Sequence, residues 1–481
     1  MVSSALPALV VLALVALPAA PTGQSASREA AQVTFTKDIA PILQRSCQNC
    51  HRPDSIAPMS LLTYEEARPW ARAMKNRTGL RGKPEVMPPW FLEKNVGIQD
   101  YKGDFSLSDE EIAKIARWAD SGAPRGNPSD MPPPLTFHDE KEWAIGQPDL
   151  VVLSPDVEVK ANAPDWWGPI GEVPTGLAED RYVSAVEIKE ENDLEKRSER
   201  QTIGGRHIFH HLIWTSLSGA VPSGAAATPA AGARPAAADV QGWPIHEVGR
   251  NADFFDPEAG RLLKANSRLY FSSAHMHSTG VTTKGHVKIG FKFHPKGYEP
   301  KKRVRSVDVT ATMDLDIKGM QADQKIEAYS TLSEHTKLVV FEPHMHAAGV
   351  RMCLDAIYAT TVQTLSCAGY NHGWVRIYTY ADDAAPLLPK GTILRVTGYF
   401  DNTPANKNVS DPRNWSGLGH RSIDNMMINI GQTITLSDEE FLREMTARRE
   451  KLGLAPGQSV LGCPLCGYDK LPFTPARTQQ P

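Results

Sequence analysis

Ile393-Leu394-Arg395-Val396-Thr397-Gly398-Tyr399-Phe400 is a short run of β-branched and aromatic residues with the two-residue alternation of a strand. The same texture returns in Leu150-Val151-Val152-Leu153 and in His286-Val287-Lys288-Ile289-Gly290-Phe291. Turns rich in Gly, Pro, Asn and Asp separate such runs throughout the chain beyond residue 149. Short strands at this spacing predict β-sandwiches for that part. The Ala/Pro/Gly tract Gly219–Asp239 has no periodicity and reads as a flexible surface insertion.

Upstream the texture differs. Cys47-Gln48-Asn49-Cys50-His51 is a CxxCH motif. Two thiols at this spacing can add to the two vinyl groups of one haem, and the adjacent histidine then serves as an axial iron ligand. Ile39, Ile42 and Leu43 share a helical face before Cys47. Thr63 with Glu66, and Ser108 with Glu111, match capping boxes. The second opens a helix with Ile112, Ile115, Ala116 and Ala119 on one face, stopped by Gly122 and Pro124. Helix, CxxCH, loop and closing helix resemble a class I cytochrome c. The resemblance implies a small all-α domain over 33–128 with one covalent haem c. Met87, in the Pro-rich loop Val86-Met87-Pro88-Pro89-Trp90, is the expected sixth iron ligand, with Met59 as its competitor and Met74 read as a core residue.

Length and composition frame these parts. At 481 residues the chain should hold about three domains. A net charge of −3 gives no reason to expect a nucleic-acid partner. The apolar run Leu6–Ala20 is too short to span a bilayer and has the length of a signal-peptide core. We expect a signal peptide over 1–26, export to the periplasm or medium, and no transmembrane segment. A Pro-rich linker, Pro124–Pro134, follows the haem region.

Fourteen of the 15 histidines fall at or beyond residue 138, and they cluster. His207, His210 and His211 share one run, while His275/His277 and His344/His346 form H-x-H pairs. Positions i and i+2 of a strand face the same way, so each pair can present two imidazoles to one metal ion. His210 and His211 would face opposite ways in a regular strand, so joint ligation requires an irregular backbone.

Five blocks then carry a more specific resemblance: Arg206–Trp214 (RHIFHHLIW), Ala274–Gly280 (AHMHSTG), Glu342–His346 (EPHMH), Phe400–Asn406 (FDNTPAN) and Ile423–Met427 (IDNMM). In this order they resemble the copper type II, ascorbate-dependent monooxygenases, the family of the peptidylglycine and dopamine hydroxylases. The likeness is closest to a bacterial branch with a cytochrome c domain in front. It implies two tandem all-β jelly-roll-like sandwiches, over 149–310 and 311–445, each with one copper. His210, His211 and His275 would hold the first copper. His344, His346 and the Met426 thioether would hold the second, where O2 is activated and a substrate C–H bond hydroxylated. Soft sulfur with two imidazoles suits Cu(I). His277 and His207 compete as ligands, and Met427 rivals Met426. His372 reads as structural, and His138, His246, His286, His294, His335 and His420 as satisfied or exposed.

The sequence also departs from that family. Glu342 stands where peptide-hydroxylating members carry a carboxylate-binding arginine, and Ile428 and Ile430 replace polar contacts, so a glycine-extended peptide is not the expected substrate. Cys353 and Cys367 flank an expected hairpin and can pair in an oxidising compartment. In the tail 446–481, Cys463-Pro464-Leu465-Cys466 reads as a local disulfide ahead of a zinc half-site or redox pair. The leading expectation is a two-copper, one-haem monooxygenase using O2, an unidentified small-molecule or peptide substrate and an external electron donor, with the haem feeding the first copper. An electron-transfer or copper-binding protein without hydroxylase activity, and a β-sandwich binding module, are the alternatives.

Overall fold

The structure, a computed structural model, describes residues 32–471 except 54, 56, 82, 84, 138–141, 195–204, 220–238, 248–251, 312–313 and 420–422. The expected signal peptide, nearly all of the Ala/Pro/Gly insertion, His138 and His420 lie outside the described residues.

The first sandwich comprises β1 (Leu150–Leu153), β2 (Val157–Val159), β3 (Trp166–Gly168), β4 (Gly171–Pro174), β5 (Arg181–Asn192), β6 (Phe209–Ser218), β7 (Asp239–Gly242), β8 (His246–Glu247), β9 (Ala252–Phe254), β10 (Arg261–Leu263), β11 (Arg268–Met276) and β12 (Thr283–Phe293). One sheet runs β1-β12-β5-β10 and the facing sheet β3-β11-β6-β7. Alternation along β12 turns Val287, Ile289 and Phe291 inward, where they meet Trp214 and Phe271 of the other sheet. Trp243 stacks on Trp214 at 5.5 Å and closes this core.

The second sandwich comprises β13 (Arg303–Thr310), β14 (Gln321–Thr331), β15 (His335–Leu338), β16 (Val340–Phe341), β17 (Pro343–Met345), β18 (Gly349–Tyr358), β19 (Thr361–Gly369), β20 (Tyr378–Thr379), β21 (Leu387–Leu388), β22 (Ile393–Asn402) and β23 (Met427–Leu436). Its sheets run β13-β23-β15-β21 and β14-β22-β18-β19. Because β13 pairs with β23 along its whole length, this sandwich begins at Arg303, a few residues before the boundary expected at 311. The C-terminal helix α5 (Asp438–Leu452) starts at a Ser437/Glu440 capping box and packs Phe441 and Met445 onto Leu387 and Ile434.

The sequence expectation fails over 33–128. No sizeable all-α cytochrome c domain forms among the described residues. The helices there are short: α1 (Ala40–Ser46), α2 (Tyr64–Ala67), α3 (Ala71–Thr78) and α4 (Asp109–Asp120). Both capping boxes form, and Phe35, Leu43, Leu61, Met74, Ile115 and Trp118 make a small cluster. The 79–107 stretch accounts for the difference. Its prolines and glycines break helices, and its aromatics are claimed by the second sandwich instead of closing a helical core. Trp90, Ile98 and Tyr101 are buried in that sandwich's core, and Leu92 pairs with Ala368 at the edge of β19. Gly97, at φ +68°, allows the approach, because a Cβ there would collide with the Leu365 carbonyl.

Both expected disulfides are present: Cys353–Cys367 joins directly opposed residues of β18 and β19, and Cys463–Cys466 closes a local loop. No helix among the described residues is long and apolar enough to cross a membrane.

Candidate metal centre

β6 and β11 build the first ligand set. Their pairing places His211 opposite His275 and Phe209 opposite Met276, so His210 is the extra residue of a β-bulge. A bulge sets two residues against one and re-aims side chains. The backbone is therefore irregular where joint ligation by neighbouring histidines requires it. The His211 Nδ1 lies 2.8 Å from His210 Nδ1 and 3.3 Å from His275 Nδ1. Metal–nitrogen bonds of about 2.0 Å set tetrahedral donors about 3.3 Å apart, so the three nitrogens converge at ligand spacing.

Supporting residues hold this set from behind. The buried Glu190 carboxylate accepts hydrogen bonds from the Ile208 and Phe209 amides, each at 2.9 Å, and so fixes the chain entering the bulge. Burial pushes its pKa up, against the opposing pull of His207. The His275 Nε2 lies 3.0 Å from an Asp165 oxygen, and Trp167 packs 5.2 Å from the His275 ring. An orienting carboxylate on the far nitrogen is the usual backing of a metal-binding imidazole.

The second set sits on β17 and its partner β23. Pro343 pairs with Asn429, His344 with Ile428 and Met345 with Met427. Met345 and Met427 are both fully buried in the sandwich core. Opposed residues share a face and successive ones alternate. His344 therefore faces away from that core, and His346 and Met426 are the next residues beyond the last pair, Met345–Met427, one on each chain segment. The rings of His344 and His346 are 5.3 Å apart, and Met426 is half-buried.

The two sets meet across the seam between the sandwiches. His211 and His344 lie 5.5 Å apart by ring centroids. His372 joins both sets, 5.8 Å from His210 and 6.2 Å from His346, although its sequence context reads as structural. His277 also approaches His210, at 5.8 Å. Glu247 of β8, fully buried, places a carboxylate oxygen 2.8 Å from His344 Nδ1. Neither Glu247, Asp165 nor Trp167 stood out in the sequence; each is an isolated residue outside any motif.

Burial, reinforced by the neighbouring imidazoles, holds His210, His211 and His346 well below the usual histidine range, and takes His372 down to about 4. Neutral imidazoles with free lone pairs are what metal ligation needs. The donor sets thus fit copper or zinc, both of which accept imidazole.

At the N-terminal motif, Cys47 and Cys50 lie on one turn and are not joined in a disulfide, with the Cys50 and His51 amides donating to the Cys47 carbonyl at 3.1 and 2.9 Å. The His51 Nδ1 lies 3.3 Å from the Met59 carbonyl, which leaves Nε2 for a ligand. Burial lowers the His51 pKa, again favouring the neutral ring. These features fit a covalently held haem. Met87 is 40% exposed, on the rim of a cavity of 670 Å3 that it shares with Val86, Pro88 and Trp90. Cys47, Cys50 and His51 are not among the residues lining that cavity. Met74 is buried in the small helical cluster.

No protein-family model matches this sequence, and no curated protein matches it. Among solved structures, the T13 viral particle of IBDV is 8% identical over 61% of this chain and 72% of its own, with a TM-score of 0.18. The CBM22-1-CBM22-2 tandem domain of Paenibacillus barcinonensis Xyn10C is 10% identical over 60% and 91%, with a TM-score of 0.16. These scores are too low to establish a common fold.

Proposed function

We propose that the chain is an exported copper- and haem-dependent monooxygenase of the copper type II, ascorbate-dependent kind. The observation that carries this reading is the convergence of His210, His211 and His275 with His344 and His346 across one seam. Copper held there would supply one-electron transfer and O2 activation.

Residues of this chain give the site its selectivity and its wiring. Glu342 is buried beside β17, where its carboxylate disfavours an anionic substrate terminus. Ile428, opposite His344, adds apolar surface and points to a substrate C–H bond in an apolar setting. Residues 371–377 run from His372, beside the histidines, to Arg376, whose guanidinium lies over the Trp90 and Phe105 rings of the N-terminal segment. That continuity supports electron delivery from a haem on Cys47 and Cys50, with His51 as axial ligand and Met87 as the candidate sixth ligand. The pair of disulfides favours an oxidising compartment, in keeping with periplasmic or secreted placement.

A second reading is electron transfer or copper binding without hydroxylation. It draws on the burial of His344 and His346, which leaves little room for a substrate beside them. Metal analysis and stopped-flow absorbance on protein matured in a host that attaches c-type haem separate the readings. Hydroxylation requires one haem and two coppers per chain, with reduced haem reoxidised through copper by O2. Haem that reoxidises through copper with no oxygen incorporated into any C–H compound leaves the second reading. Haem without stoichiometric copper removes hydroxylation and copper binding and leaves an electron carrier joined to β-sandwich modules.

A further inference from the structure

Two donor groups among the described residues have metal-binding spacing: His210/His211/His275 and His211/Glu247/His344, each with its ligand atoms within 4.8 Å of one another. They share His211. Its Nδ1 faces His210 and His275, while its Nε2 faces Glu247 Oε1 at 3.8 Å. His344 Nδ1 reaches the same carboxylate oxygen at 2.8 Å.

We propose that His211, Glu247 and His344 form a second, cross-sandwich metal site for a divalent cation, Cu2+ or Zn2+, joined to the histidine triad by the His211 imidazole acting as a bridge. The inference rests on the triad holding a metal. It goes beyond that reading by assigning Glu247 as a ligand and placing the hard donors apart from the Met426 thioether.

Three observations carry it. Glu247 is 0% exposed, and among the described residues the basic groups beside its carboxylate are the imidazoles of His211 at 3.8 Å and His344 at 2.8 Å rather than a lysine or arginine. A buried carboxylate is costly unless paired or bound to a metal. His211 Nε2 and Glu247 Oε2 are both buried without a hydrogen-bond partner, so each has a lone pair or proton that the protein leaves unsatisfied. The donor set, two imidazoles and a carboxylate, matches the preference of Cu2+ and Zn2+, with a position left for water. When both ions are bound, His211 gives up its ring N–H proton to solvent and each nitrogen donates to one ion.

Zinc is the first probe, because it binds without redox change. Equilibrium dialysis of the full-length, haem-loaded protein against Zn2+, with metal counted by mass spectrometry, should give at least two zinc ions per chain, at the triad and the seam. Glu247→Gln should bind one zinc fewer than the wild type, and Met426→Ala should still bind at least two. The same count in Glu247→Gln and the wild type, or one zinc in the wild type, overturns the seam site and leaves the triad standing. No zinc and no copper in the wild type overturns the triad as well. A measurement on the wild type guards against misfolding of the variant. Loaded with Cu2+, an imidazole-bridged pair is exchange-coupled, so its EPR signal should fall well short of the copper present. Full spin intensity for all bound Cu2+ overturns the bridge.

Discussion

His211 of β6 and His344 of β17 belong to different sandwiches, yet their rings stand 5.5 Å apart and nearly perpendicular. Metal bound by the cross-seam group His211, Glu247 and His344 therefore acts on both sandwiches, since it draws donors from each. An ion that binds only the folded, docked arrangement stabilises it by mass action, about 2.7 kcal/mol at a free concentration of one hundred times Kd. Differential scanning calorimetry with Zn2+ and with a chelator should show the melting temperatures of both sandwiches moving together. A shift confined to one transition, or none, would falsify the coupling.

Glu190 is predicted to position the first ligand set. Its carboxylate ties down the Ile208 and Phe209 amides immediately before the bulge that displays His210 and His211. Glu190→Ala frees those amides without touching a ligand atom. Loss of an outer residue of this kind costs roughly tenfold to a hundredfold in metal affinity. Competition with a chromophoric chelator measures it; unchanged affinity in a folded variant would reduce Glu190 to a purely structural group.

Met426 and Met427 offer a sharper contrast, since they are neighbours with opposite surroundings. Met427 is fully buried against Gly398 and Met345, whereas Met426 is half-buried on the other face. Met427→Ala is expected to destabilise the second sandwich by about 2–5 kcal/mol while leaving copper binding intact. Met426→Ala should lose Cu(I) affinity with little change in urea midpoint. The reverse pattern would move the thioether ligand to Met427 and overturn the register argument.

How much of this was legible beforehand depends on the range of the interactions. The alternation in His286–Phe291 and Ile393–Phe400 predicts strands, and both runs lie within β12 and β22. Capping boxes at Thr63 and Ser108 are local, and both form. The helical domain expected over 33–128 failed because the partner of its aromatics is more than 250 residues away: Phe91 donates its amide to the Tyr378 hydroxyl. Glu247 was invisible for the same reason. Its two-residue strand carries no pattern, and only the docking of two sandwiches gives it His344 as a neighbour.

The last prediction concerns the seam between the N-terminal segment and the second sandwich. Residues 91–98 add themselves to the outer edge of β19: Glu93 donates to the Cys367 carbonyl at 2.9 Å, Ile98 to Leu365 at 2.8 Å, and Gly369 to Phe91 at 2.9 Å. Arg351 on β18 grips the Glu93 carboxylate with two nitrogens. The Cys353–Cys367 bond lies beneath this edge and closes a loop of sequence separation 14, for which chain entropy alone gives about 3 kcal/mol. The Cys353→Ala/Cys367→Ala double variant should lose about that much in urea unfolding. Because Cys367 also accepts from Glu93, the lost rigidity should reach the N-terminal segment and expose its 79–107 stretch to protease. If the stretch stays protected while the sandwich is destabilised, Trp90, Ile98 and Tyr101 hold it without help from the β19 edge, and their burial in the second core is the stronger anchor.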